Sequence, residues 1–356
     1  MNEKRLKYYA FFGAQNSLGV AKKIENTVEA ANKVGYQAQK KYFLNRPSGL
    51  FEFIKEILTG KEEVVIIRLY DLFMPLIFPF LILRRLTGTH LILDVPTPRV
   101  ILLQEFKFDN KSRLHRFLRG MWSYLSWTWV FLPFNRIIQY SEESKFLSFL
   151  VDNKTIKMGN GIKVDLTLPI IERTEKENEI YLIAVASLAT WHGYDRLIKA
   201  IALVREYKPD YKVFLKVVGD GPALSELKEL VKNHSLLDRV TFTGSLHGED
   251  LTNAFINIDL GVSSLGLLRK GLSEASDLKT REYMARGLCV IGAGKDPDFT
   301  EQSYFRFLVP NDESIEPIAE LLIDLKNKKL PTPQDVRKFA EANLSYDAKI
   351  CSIIGI

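Results

Sequence analysis

The residues with the clearest chemical promise lie in GLLRKGLSEASDLKTREYMARGLCVIGAG, residues 266–294. Two carboxylates stand eight positions apart, Glu274 and Glu282, among the cations Arg269, Lys270 and Lys279. A carboxylate can accept from two vicinal hydroxyls at once, so each glutamate suits a sugar ring. Ser276 or Asp277 can cap a helix that runs to Arg286 and ends at Gly287. The first amides of that helix carry partial positive charge and, with the cations, suit a diphosphate. The chain holds 43 acidic residues, so one such spacing also arises by chance on an ordinary solvated helix face, and the neighbouring segments must decide.

Strands and helices alternate around this stretch. In the C-terminal half, strand patterns at 180–187, 211–221, 239–246, 260–265 and 288–294 alternate with helix patterns at 193–207, 224–236 and 251–259, and a helix pair ends the chain. The N-terminal half shows strands at 7–13, 62–69, 89–98 and 135–141, a helix at 21–35 and an apolar helix candidate at 73–83. Such alternation predicts parallel sheets covered by helices on both faces. An acidic, polar run at 171–179 places the domain boundary at 165–178. The expected organisation is an N-terminal domain over 1–170, a second domain over 171–335, and a C-terminal helix over 336–356 able to pack back on the first. The expected fold class is α/β, two doubly wound Rossmann-like domains facing a cleft. Ligands of open α/β sheets bind at the carboxyl ends of the strands.

Three strand-to-helix turns in the second half have the composition of ligand loops. SLATWHGYDRL (187–197) places Trp191, His192 and Gly193 before a helix start, a natural anion site. VVGDGP (217–222) offers Gly219 and Gly221 for close backbone approach. Leu224 stands where a dinucleotide fingerprint needs glycine. FTGSLHGEDL (242–251) adds a glycine and a polar loop, in which His247 reads as a surface histidine.

The 356 residues, 46% hydrophobic and 26% charged, describe a globular protein. Two cysteines, Cys289 and Cys351, exclude a disulfide framework and supply no zinc spacing, which fits a reducing compartment. The run FMPLIFPFLIL (73–83) is too short to span a bilayer and is broken by Pro75 and Pro79, so it reads as a buried or interfacial helix. The formal net charge of +6 is uneven, with the excess of Lys and Arg in the first half. That half is expected to meet something anionic.

The order strand, SLATWHGYDRLI, VVGDGP, VTFTG, E-x7-E and EYMARGLCVI resembles the family 4 retaining glycosyltransferases, which have the GT-B fold. The resemblance covers about 180–295, extends weakly to NGIKVD (160–165) and is faint before it. It implies transfer of a sugar from a nucleotide-diphospho-sugar, held by the 171–335 domain, to an acceptor hydroxyl held by the 1–170 domain, with retention and with no cofactor and no metal. By residue match, Glu282 would hold the ribose hydroxyls and Glu274 the transferred sugar. The amides of Ser276, Asp277, Leu278, Lys279 and Thr280 would lie near the diphosphate. Gly219, Asp220 and Leu246 would line the nucleotide pocket. NSLGVAKKI (16–24) resembles a glycine loop over the phosphates, with Gly19 at the close approach. The family's R-L-x-x-x-K-G cations are missing: Ser187 and His192 stand in their places. Phosphate charge must still be met when the glycosidic bond breaks, and Arg269, Lys279 and Arg196 are the candidates, although Arg196 can equally serve a structural ion pair.

Asp94, at a strand end on the acceptor side, is the candidate base or positioning group, with a turn-capping carboxylate as the alternative. Thr97 and Arg99 would shape the same pocket. Asp296-Pro-Asp298, a D-x-D string, is read as a loop and not a metal site. KFDNKSRLHRFLRGMWSYLSWTWVFLPF (107–134) alternates cations, Lys111, Arg113, Arg116 and Arg119, with Trp122, Trp127 and Trp129. This suits an interfacial helix on anionic headgroups, with a basic-faced core helix as the alternative. The expected partners are a nucleotide-sugar donor, a glycan or lipid-linked acceptor and the inner face of the cell membrane. No nucleic-acid module is present in the sequence. A non-catalytic nucleotide-sugar-binding subunit and an epimerase on the same architecture remain as other readings.

Overall fold

The structure, a computed structural model, describes residues 4–12, 18–68, 73–95, 112–125, 128–141, 148–165, 168–172, 176–300 and 303–356. The chain divides into two compact units, Met1–Met158 with Tyr346–Ile356, and Gly159–Ser345.

The first unit holds a six-stranded parallel sheet in the order β2-β1-β3-β4-β5-β6. Its strands are β1 (Lys4–Phe12), β2 (Tyr36–Leu44), β3 (Val64–Arg68), β4 (His90–Asp94), β5 (Arg136–Gln139) and β6 (Thr155–Lys157). The middle strands VVIIR and HLILD are buried almost throughout, as expected of a parallel sheet covered on both faces. One face packs under α2 (Pro47–Thr59) and α3 (Met74–Leu86), through Tyr9, Phe43, Phe53, Ile77 and Leu81. The other packs under α1 (Leu18–Lys33) through Ile24, Ala30 and Ala31, together with a helix from the chain's end. The apolar run 73–83 is thus a one-sided helix: Met74, Ile77 and Leu81 are buried, while Leu76, Leu83 and Leu86 are exposed. The helix α4 (Arg113–Leu125) carries its arginines and an exposed apolar stripe.

The second unit repeats the plan in the order β12-β11-β10-β7-β8-β9, again all parallel. Its strands are β7 (Glu179–Val185), β8 (Lys212–Val218), β9 (Val240–Gly244), β10 (Leu260–Val262), β11 (Cys289–Ala293) and β12 (Arg306–Val309). Its helices are α5 (Tyr194–Tyr207), α6 (Leu224–Asn233), α7 (Gly248–Ala254), α8 (Leu278–Ala285), α9 (Glu316–Leu325) and α10 (Pro333–Phe339). The last helix, α11 (Tyr346–Ile354), belongs to the first unit, where Ile350 and Ile354 share one core with Leu6 and Ile92.

Both junctions differ from the sequence expectation. The units part at 158/159, before the acidic run, because residues 159–165 and 168–172 are held by the second unit. The Gly159 amide donates to Asp298, Ile162 bridges Ser345, and the Ile171 amide donates to the Arg286 carbonyl. Residues 336–345 also stay with the second unit, because Arg337 donates to the carbonyls of Asp165, Leu168 and Ala285.

Candidate active site

Seen from the strand ends of the second unit, the turn after β7 and the start of α8 form one constellation. The β7 turn is tied to the glycine turn after β8: the Leu188 amide donates to the Asp220 carbonyl, and the Ala223 amide to the Leu188 carbonyl. Gly219 has φ +131°, and a Cβ there would overlap the Ala186 carbonyl oxygen. Its close approach is therefore to the neighbouring backbone of its own unit. Asp220 is exposed, its carboxylate accepting from the Gly221 amide, and Leu246 packs half-buried against the core.

Ser187 is exposed. His192 is turned inward: its Nδ1 accepts from the Ala189 amide, and its ring stacks on Tyr194 with centroids 5.5 Å apart. Burial, reinforced by the charge of Lys279, pushes its pKa down to about 4, so it is neutral at pH 7. Gly193 begins α5 with φ +66°, and a Cβ would press on the Leu265–Gly266 backbone.

Helix α8 begins at Asp277, which stands at the N-cap without capping. Its carboxylate instead accepts from the Ser263 hydroxyl at 2.6 Å and the Ser264 amide at 3.2 Å. Burial opposes its charge, yet Lys279 and these donors hold its pKa below the usual value. The first turn, Leu278, Lys279 and Thr280, thus has no side-chain cap. Ser276 is held from behind, its hydroxyl accepting from the Asn160 amide and its carbonyl from the Asn160 side chain. The Lys279 ammonium lies 3.4 Å from the Tyr194 hydroxyl, and burial pushes its pKa down to about 8 against the pull of Asp277.

The two glutamates have different surroundings. Glu282 is half-buried, and its Oε1 accepts from Nε and a terminal nitrogen of Arg286 at 3.2 and 3.0 Å. Glu274 is 5% exposed and lines a cavity of about 470 Å³ together with Lys295, Asp296, Arg306 and Asn311; Glu282 is not among the residues lining it.

Two expected phosphate cations are engaged elsewhere. Arg269 makes paired contacts to Asp195 at 2.8 and 2.9 Å and to Glu313 at 2.6 and 2.8 Å, which raise its pKa. Arg196 is fully buried, donates to the carbonyls of Leu265, Pro310 and Ser314 and pairs with Asp312 at 3.5 Å, the structural ion pair that was its alternative. Asp296 and Asp298 both bind the buried Arg281. Sequence reasoning missed these anchors, Asp195, Glu313, Ser263 and Asn160, because each is distant in the chain from the group it holds. The stretches 160–165 and 187–197 contain Asn160 and Asp195, but a local motif gives no distant partner.

In the first unit, Asp94 is buried at the end of β4. It accepts from the Tyr8 hydroxyl, from Lys23 at 3.2 Å and from Arg68 at 3.0 Å. Burial opposes its charge, but Lys23 and Arg68 outweigh it and push the pKa down to about 2. With three donors already on the carboxylate and its basicity lowered, these surroundings favour a positioning or structural role over that of a base. Gly19 lies exposed in the first turn of α1, within a helix and not a loop; residues 16 and 17 of the glycine-loop stretch fall outside the described residues. So do Pro96, Thr97, Pro98, Arg99, Lys111 and Trp127.

Comparison with known proteins gives these positions a frame. Residues 170–343 match the family model of the glycosyl transferases group 1. The match holds the E-x7-E stretch and the three ligand-type turns, and excludes Gly19 and Asp94. A mannosylfructose-phosphate synthase of Agrobacterium fabrum is 36% identical over 89 residues, 23% of this chain and 20% of that protein. The chain's matches to the curated relatives named first span about a fifth of their length. Among solved structures, the lipopolysaccharide outer core galactosyltransferase WaaB superposes with a TM-score of 0.66 at 10% identity, covering 98% of this chain and 99% of that one. HepE of Anabaena, in complex with UDP, gives 0.66 at 13% identity, covering 99% of both. At such identity the likeness establishes the fold, which is GT-B: two parallel-sheet α/β units.

Proposed function

We propose that the protein is a retaining, metal-independent glycosyltransferase, moving a sugar from a nucleotide-diphospho-sugar to an acceptor hydroxyl in the assembly of a surface polysaccharide or glycolipid. The observation that carries this reading is the start of α8: no side chain caps it, a lysine lies in its first turn, and Glu282 follows one turn on. Helix amides and a cation meet phosphate, and an oriented carboxylate meets the ribose hydroxyls. The Oε1 of Glu282 is held by Arg286, which fixes the direction of the carboxylate. Glu274, lining its own cavity, would hold the transferred sugar. The pairing of Asp296 and Asp298 with Arg281 supports a reaction without metal, since both carboxylates are engaged. The group 1 match and the UDP-bound HepE support a nucleotide donor.

A thermal-shift screen of UDP-, GDP-, ADP- and dTDP-linked sugars tests the reading, because a ligand of the folded state raises its melting temperature. At least one should raise it by several degrees, and Glu282→Ala should abolish the rise. No shift with any of the four at saturating concentration would remove the donor-site assignment. The engagement of Arg269 and Arg196 favours a second reading, a donor-binding subunit without catalysis. Binding without release of nucleoside diphosphate, even with acceptor-containing extracts, would select it.

The acceptor side is expected to meet lipid. Leu114, Phe117, Leu118, Met121 and Trp122 form an exposed stripe on α4, whose charged residues are Arg113, Arg116 and Arg119. Among the described residues no helix is long and apolar enough to cross a membrane, so the contact would lie in the interface.

A further inference from the structure

We infer that Lys279 is the cation that meets the charge of the departing diphosphate, replacing from α8 the cations that the β7–α5 turn does not carry. The inference rests on the glycosyltransferase reading and names the group that performs its most demanding step. Between Ala186 and Asp195 the chain has no lysine or arginine, and His192 in that turn is neutral. Helical side chains lean towards the N-terminus, so Lys279 reaches back over the helix start. Its ammonium stands 5.6 Å from the centre of the Tyr194 ring, on which the His192 ring stacks. The charge therefore arrives beside the turn from which it is missing.

Three observations separate Lys279 from the other cations. Arg269 is matched by two carboxylates and Arg196 is buried among carbonyls. Lys270 lies over the Trp191 ring at 4.7 Å and is exposed. Lys279 alone of the four is half-buried at the open helix start, and its near carboxylate, Asp277, is turned to Ser263 and Ser264. Among the described residues it makes no salt bridge. A partly desolvated ammonium beside uncapped amides is an arrangement completed by an anion.

In the transfer step the bond between the sugar C1 and the β-phosphate oxygen breaks, and its electron pair goes to that oxygen. The acceptor oxygen bonds to C1, and its proton is taken up by the phosphate oxygen that has gained charge. Lys279 and the first amides of α8 stabilise that oxygen while the charge develops, and the products are the glycoside and the protonated nucleoside diphosphate.

Pyrophosphate is the probe, because every candidate donor contains it. Calorimetric titration of pyrophosphate and of UDP is carried out on the full chain, wild type, Lys279→Ala, Lys279→Arg and Lys270→Ala, each first checked for an unchanged melting temperature. Lys279→Ala should weaken pyrophosphate about ten- to a hundredfold, the worth of one charge-assisted contact, and Lys279→Arg should restore it to within about threefold. From pH 7 to 9.5 the wild type should lose affinity relative to Lys279→Arg, whose charge persists; this comparison cancels the titration of pyrophosphate itself. If UDP binds and Lys279→Ala binds it and pyrophosphate like the wild type, this inference falls and the donor-site reading stands. If the loss appears in Lys270→Ala instead, the charge belongs to Lys270 and the inference is likewise overturned. If the wild type binds neither probe and fails the nucleotide-sugar screen, the donor-site reading falls and takes the inference with it.

Discussion

Asp94, Lys23 and Arg68 converge at the strand ends of the first unit, and their surroundings decide what each can do. The Lys23 ammonium lies 3.4 Å from the centre of the Tyr140 ring and 3.2 Å from Asp94, in a site where burial pushes its pKa down to about 7. Asp94→Asn leaves two cations facing each other with no anion, and breaking a buried pair in this way costs about 3–5 kcal/mol. The two groups have opposite pH dependence. Folded Asp94 titrates near 2, below its unfolded value of about 3.9, so its contribution is complete above that value and is lost as pH falls towards 2. Folded Lys23 titrates near 7, below its unfolded value of about 10.4, so in that window the unfolded chain holds the extra proton and stability from this group rises with pH. The loss in Asp94→Asn should therefore be larger at pH 6, where Lys23 is charged and needs its partner, than at pH 9, where it is neutral. Urea unfolding of both proteins at the two pH values measures this. Equal losses would show that Lys23 does not titrate against Asp94.

The exposed positions 114, 117, 118, 121 and 122 of α4 recur at the spacing of one helix face, and the helix contains no acidic residue. Three arginines near an anionic surface are worth about 1 kcal/mol each, so attachment should depend on lipid charge. The protein should sediment with vesicles of phosphatidylcholine and phosphatidylglycerol, much less with phosphatidylcholine alone, and less as salt is raised. Replacing Phe117 and Leu118 with glutamate should weaken sedimentation at least about tenfold. Equal binding of the wild type to both vesicle types would rule out the electrostatic part. This element was legible in the sequence because its signal is local: composition plus period. Most elements of both sheets were legible for the same reason, since buried parallel strands read as apolar runs. Residues 36–61 gave no expectation, because β2 is an edge strand whose polar positions, from Gln37 to Lys41, interrupt any run, and α2 follows directly behind it. At the site, residue types and spacing suggested Glu282, Asp277 and Lys279. They could not separate Lys279 from Arg269, because Asp195 and Glu313, which occupy Arg269, lie 74 and 44 positions away. The domain junction was misplaced for a related reason: an acidic run marks solvent, while the backbone bonds of Gly159, Ile162 and Ile171 decide which unit holds the chain.

The chain enters the second unit once and then returns, so its last eleven residues complete the core of the first. Tyr346, Ile350, Ile353 and Ile354 are buried there with Leu6, Tyr8, Ile92 and Ile138. Lys33 pairs with Asp347 at 2.7 Å, and Arg136 donates to the Ser352 carbonyl at 2.7 Å. Burial of each large apolar side chain contributes about 1.5–3 kcal/mol. Losing four of them removes an amount comparable to the whole stability of a typical domain, about 5–15 kcal/mol. The second unit has its own continuous core, from Ile171 to Leu344, and loses nothing from that core by the same cut. Truncation after Ser345 should therefore unfold the first unit selectively. Scanning calorimetry of the full chain should resolve two transitions, as separate cores predict, and UDP should raise the one that belongs to the second unit. In the truncated protein that transition should remain, still raised by UDP, while the other disappears. Limited proteolysis should then leave a protected fragment beginning near residue 159. Loss of both transitions together would mean that the two units fold as one cooperative body, and that the returning helix supports the second unit as well as the core it enters.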